Sequence, residues 1–169
     1  MEKNEIMYEE YEVYSALLRE KFLKDCERKL CIDELTFDGD LSESIGTLSF
    51  RTGKVMPEME AIRDFKDNNK EPSKIESEKI SGIDYMVFGA KDYVKVFDEN
   101  DEGWDFFHDT YKMEEIITLS RVGFNADKTQ AVLYQSFQAG QLAGQGFYVK
   151  MAKVKGNWEI EEEHSLWIS

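Results

Sequence analysis

Basic residues are scarce in this chain of 169: 21 lysines and arginines stand against 35 aspartates and glutamates, for a formal net charge of −14. Such a surface repels a phosphate backbone and has few cations with which to displace its counterions, so nucleic acid and anionic membrane are excluded as expected partners. Long apolar runs are missing too; none approaches the length of a membrane span. The opening MEKNEIMYEEYEVY lacks the basic flank and apolar segment of a secretory signal. A cytoplasmic location is the expectation. Cysteine is limited to Cys26 and Cys31, and histidine to His108 and His164. Neither pair sits in a metal-ligand spacing, and no G-x-S-x-G or H-E-x-x-H accompanies the imidazoles. Nucleophilic catalysis has no support, the cysteines read as a reduced structural pair, and no cofactor or metal is expected.

What is present is enough for a core. Hydrophobic residues make up 41% of the chain and aromatics 13%, which separates it from disordered chains although 33% is charged. The length suits one domain over residues 1–169, with no room for a second. Across 4–24, Met7, Tyr11, Tyr14, Leu18 and Phe22 recur at helical spacing beside Val13 and Leu17, with Glu9, Glu10, Glu12 and Glu20 on the other side. This predicts an amphipathic helix. Residues 29–37 are β-prone. Pro57 can open a second helix with the stripe Met59, Ile62 and Phe65; Ile83–Phe88 reads as a strand and "GWDFFHDTY" as a third helix.

From Ile116 the apolar period changes to two. Four strands follow, over 115–124, 129–138, 146–155 and 158–168, separated by "NADK", a glycine stretch and "KGN". The fold class is therefore α+β: an N-terminal amphipathic helix and further short helices packed on an antiparallel sheet that ends in a four-stranded meander.

The glycine stretch, "QAGQLAGQGF" at 138–147, raises the question of a phosphate loop. It has strand on both sides, no lysine and no following helix, so a connection between strands is expected instead, its glycines supplying positive φ or a bulge. The run "DENDEGWDFFHD" at 98–109 partly matches a calcium loop, with Asp98, Asn100, Glu102, Gly103 and Asp109 at suitable positions. Asp105 and Phe106 occupy the wrong ones, and the closing acid is too short. An acidic, solvated helix entrance is the simpler reading.

Opposed residues of an antiparallel pair share a face, so the apolar pattern sets a register. With "NADK" as one turn and Gly156-Asn157 as another, Val122 opposes Ala131, Phe137 opposes Phe147, and Val149 opposes His164. Five polar residues then intrude on the core face: Thr118, Ser120, Gln135, Glu162 and His164. Each costs on the order of 1–3 kcal/mol if buried unpaired, so they either hydrogen-bond one another or line a pocket, with Glu162 and His164 as an acid/base pair. A bulge within "EEEH" would instead turn Glu162 outward. On the other face, Lys150 and Glu163 oppose each other as surface support.

The run "SRVGFNADKTQAVLYQSFQAGQLAGQGFYVKMAKVKGNWEI" at 120–160 resembles the C-terminal signature of a family of small, uncharacterised bacterial proteins. "AIRDFKDNNKEPSKI" at 61–75 and "GWDFFHDTY" at 103–111 fit the same pattern. The resemblance implies one continuous sheet over 116–168 and brings no activity. Relatives carrying cysteines beside the glycines would have thiol chemistry that Ala139 and Ala143 exclude here.

Three functions are compatible with these observations. The first is a non-enzymatic binding or interaction module. The second is a small-molecule enzyme with an acid/base pocket on the core face of the sheet. The third is an acidic inhibitor or immunity-type protein for a basic partner, to which Glu2–Glu12, Asp98–Asp109 and Glu159–Glu163 would be steered if they converged.

Overall fold

The computed structural model describes residues 5–39 and 59–169. Helix α1, Tyr8–Phe22, buries Tyr11, Val13, Tyr14, Leu17 and Leu18 against one face of a sheet, as the helical spacing predicts. Glu10 departs from the expected polar side. It is fully buried, because Arg121 reaches it from the sheet.

Strands β1 (Leu30–Asp33), β2 (Tyr85–Phe88), β3 (Ile116–Leu119), β4 (Gly123–Phe124), β5 (Gln130–Gly140), β6 (Ala143–Val154) and β7 (Asn157–Ile168) form one sheet in the order β2-β1-β3-β5-β6-β7, with β4 beside β5. From β3 to β7 the pairing is antiparallel, which is the expected meander. At the other end β1 runs parallel to both β2 and β3. The architecture is α+β on a mixed sheet.

Helices cover both faces. Under α1 lie Ile32, Ile117, Leu119, Leu133, Phe147, Val149 and Met151. On the reverse face, helix α2 (Met59–Asn68) packs Ala61, Ile62 and Phe65 on Val132, Tyr134 and Tyr148. Met59, expected in that stripe, is exposed, and Pro57 lies outside the described residues. A short helix α3 (Ala90–Tyr93) runs into a π-helical turn (Val94–Asp98) and helix α4 (Trp104–Tyr111). This group buries Phe88, Val96 and Phe107 against Cys31 and Ile116.

Three local features decide the register. Between β3 and β4 the chain advances from Leu119 to Gly123 while its partner advances only from Gln135 to Val132, so one extra residue is accommodated. Thr118 therefore faces Ser136, and Phe124 rather than Val122 faces Ala131. The last hairpin turns at Lys155-Gly156, whose φ values of 51° and 83° suit a two-residue turn. Val154 faces Asn157, one residue earlier than Gly156-Asn157 would give. Glu161 is then the extra residue of a bulge, because Met151 faces Ile160 while Lys150 faces Glu162. His164 consequently faces Tyr148 and not Val149. Between β5 and β6 the register differs by two from expectation, Gln135 facing Phe147, so each side chain keeps its face.

The glycine stretch is the tight hairpin between β5 and β6, turning at Gln141-Leu142. None of Gly140, Gly144 and Gly146 has positive φ, but the register shifts between Gln138 and Gly140 and again between Gly146 and Phe147, so the stretch carries the expected bulge. Gly146 instead seats the Trp167 indole, which would collide with any Cβ there and which donates Nε1–H to the Tyr134 hydroxyl at 2.9 Å.

Candidate functional site

The five polar residues do not assemble into one pocket. Gln135 lies under α1, fully buried, with no hydrogen-bond partner for either amide atom among the described residues. Thr118, Glu162 and His164 take the reverse face, since the bulges at Ser120–Val122 and Glu161 invert their parity. Thr118 is on β3 and His164 on β7, three strand spacings apart, or roughly 14 Å. Only Glu162 and His164 are neighbours, with Oε2 and Nε2 3.5 Å apart and the imidazole stacked on Tyr148 at 6.1 Å. Lys150 pairs with Glu161 at 3.3 Å, while Glu163, expected opposite it, crosses to the α1 face and meets Lys21 at 2.9 Å.

Ser120 belongs to a structural latch. Its hydroxyl donates to the Arg121 carbonyl and accepts the Tyr134 amide, both at 2.8 Å, holding the break between β3 and β4. Arg121 carries a bidentate pair with Glu10, and its backbone amide donates to Asn69 Oδ1 at 2.8 Å. Gly123 lies so close to the α2 backbone at Ala61 and Phe65 that a Cβ has no space. The Phe124 amide donates to Asp64 Oδ2, and Asn125 Oδ1 accepts the amides of Thr129 and Gln130 to build the following turn. Arg121 and the Phe124 amide thus tie this segment to Glu10 of α1 and to Asp64 of α2, on opposite faces of the sheet.

The acidic run at 98–109 begins at the end of the π-turn and passes into α4, which takes its second half into helix. Among the described residues no three His, Cys, Asp or Glu side chains are grouped to hold a metal ion. Cys26 is exposed and Cys31 buried. Burial first, then Asp92 and Asp33, push the Cys31 thiol up to about 12, which leaves it a poor nucleophile.

An open cleft among the described residues lies where sequence patterning gives no sign of a site. The parallel strands β1 and β2 end together at Asp33 and Phe88. Beyond them opens a cleft of about 1000 Å³, walled by Asp33, Glu34 and Leu35, by Lys74–Ser77, and by Gly89–Tyr93. The crevice at the carboxyl ends of parallel strands is a recurrent ligand position, because the connections diverge there. The π-turn that follows Tyr93 is also of a kind concentrated at functional sites.

Asp33 marks the inner end of the cleft. Its Oδ2 accepts the Tyr93 hydroxyl at 3.1 Å and the Thr118 hydroxyl at 3.4 Å, and Oδ1 accepts the Leu35 amide at 3.4 Å. Burial holds its carboxyl above the usual range, with the Tyr93 hydrogen bond pulling the other way. Burial, then the Asp33 charge, holds the Tyr93 hydroxyl well above the usual phenol range. Asp92 accepts the Gly89 amide at 2.9 Å and the Tyr111 hydroxyl at 3.2 Å. Gly89 leaves the space that the Glu34 carboxylate occupies. Thr118 is the one residue of the expected pocket that touches this site, through Asp33.

Compared with protein-family models, curated proteins and solved structures, the chain matches none. Among the described residues no helix is long and apolar enough to cross a membrane.

Proposed function

We propose that this protein is a non-enzymatic binding module that takes a small molecule in the cleft beyond β1 and β2. The observation that carries the reading is Asp33, a half-buried carboxylate held by two hydroxyl groups and opening onto a concavity whose walls mix apolar and charged side chains. Small-molecule sites combine apolar walls with a few fixed polar groups. The enzymatic alternative loses its constellation, since Gln135 and Thr118 are not near His164. Its remaining pair, Glu162 and His164, lies against Tyr148 with no serine or cysteine among its described contacts.

The inhibitor reading is weakened by where the acids fall. Asp98–Asp109 packs at the β1–β2–β3 end of the sheet and Glu159–Glu163 lies on β7, the opposite edge. Glu9, Glu10, Glu161 and Glu163 already face cations of the same chain. The cleft reading is tested by amide NMR of the full chain against a library of small fragments of mixed charge. Shifts clustered at Leu35, Gly89, Ala90 and Tyr93 are expected. Shifts clustered instead around Tyr148 and His164, or none at the cleft, would reject it.

A further inference from the structure

The charges of the cleft are not balanced. Four carboxylates, Asp33, Glu34, Glu76 and Asp92, share its walls with two ammonium groups, Lys74 and Lys91. Lys74 is held by Glu34 at 3.0 Å, and Glu76 is within 3.8 Å of Lys79. Asp33 and Asp92 receive only hydroxyl and amide donors, and among the described residues neither has a basic partner.

A half-buried carboxylate without a counter-charge is an incomplete site. A hydroxyl lessens the cost of desolvating it, whereas a cation removes most of that cost. An anion would meet the cleft carboxylates and the field of a protein carrying −14. A bare divalent metal would need a cage of oxygens, and no three ligating side chains are grouped here. An ammonium needs less. It carries three donors and is satisfied by one carboxylate with neighbouring hydroxyl or carbonyl oxygens. Leu35, 48% exposed on the cleft wall, offers apolar surface for a stem.

We propose that the ligand class of this cleft is an organic ammonium ion, its charged head on the Asp33 carboxylate beside Tyr93 and its hydrocarbon stem along Leu35. This rests on the cleft being a small-molecule site. It adds the sign of the ligand's charge and the residue that reads it.

The test is a charge series of one shape, n-hexylamine hydrochloride, n-hexanol and sodium hexanoate, titrated into the full chain and followed at the amides of Leu35, Gly89 and Tyr93. The amine is expected to bind at least tenfold more tightly than the alcohol, and hexanoate to leave these amides unmoved. Asp33→Asn is expected to bring the amine down to the level of the alcohol. If the alcohol or hexanoate binds in the cleft as well as the amine does, the cation inference fails while the cleft reading stands. If no member of the series moves these amides, both fail. Calcium or magnesium chloride saturating the same amides at lower concentration than the amine would replace the ammonium with a metal. The wild-type series decides the matter even if Asp33→Asn proves unable to fold.

Discussion

Arg121 and Glu10 meet in the interior as a two-point ion pair, Nε to Oε1 at 2.8 Å and Nη2 to Oε2 at 2.9 Å, from positions 111 residues apart. Glu10 Oε1 also accepts the Val122 amide, and Oε2 accepts the Met7 amide at the start of α1. The pair thus ties the first helix to the break between β3 and β4. Removing one partner leaves the other charged and desolvated. Glu10→Ala is expected to cost about 3–5 kcal/mol, the range for breaking a buried pair. Glu10→Ala with Arg121→Leu should cost less than the two single changes summed, because no orphaned charge remains. Urea unfolding of the four proteins measures this.

The two structural glycines should differ in what they tolerate. At Gly123 an added methyl meets the backbone of α2, which cannot move without breaking its own hydrogen bonds, so Gly123→Ala is expected to lose about 2–4 kcal/mol. At Gly146 the obstacle is the Trp167 ring, part-exposed at 37% on an edge strand and able to swing out. Gly146→Ala should lose no more than about 1.5 kcal/mol. Its tryptophan emission should shift to the red, and the shift should vanish in a Trp167→Phe background.

Much of this fold is legible in the sequence, because period-two alternation after Ile116 and helical spacing around Tyr11 and Tyr14 report burial directly. The faces of β5 and β6 are legible even though their register slips, since a shift of two returns each side chain to its own side. A one-residue bulge has no such protection. "EEEH" carries no apolar marker to locate the bulge at Glu161, and its presence moves His164 and Glu162 to the reverse face. Glu10 reads as a solvated acid because its partner comes from a distant strand. Asp33 gives no signal at all: it ends a four-residue strand, and the cleft exists only because β1 pairs in parallel with strands far along the chain. The latch at "SRVGFN" is not legible, because the partners Glu10, Asp64 and Asn69 come from elsewhere in the chain.

Reagent access should separate the two cysteines. Cys26 is exposed, whereas Cys31 is 1% exposed on β1, with its thiol pushed up to about 12 by burial and nearby carboxylates. A disulfide-exchange reagent at pH 8 is expected to titrate one thiol per native chain, and the second only in denaturant. Two rapid equivalents in the native protein would mean that the β1–α4 packing opens readily.

The last prediction concerns pH and uses Asp33 again. Its folded carboxyl is held above the unfolded value by burial, so the folded state binds the proton more tightly than the unfolded state does. Stability from this group is then fully present below the unfolded value near 3.8 and is lost as pH rises through the raised folded value. Tyr93, the Leu35 amide and Thr118 favour its charged form by hydrogen bonding, whereas the neighbouring Glu34 charge opposes it. Asparagine keeps the carbonyl acceptor and never pays the ionisation cost. Asp33→Asn should therefore be at least as stable as the wild type at pH 7, and its advantage should shrink as the pH falls toward about 4. Urea midpoints of the two proteins from pH 4 to pH 8 give the curve. A variant clearly less stable than wild type at pH 7 would show that the Asp33 charge is already compensated within the fold, and the cleft would have no reason to seek a cation.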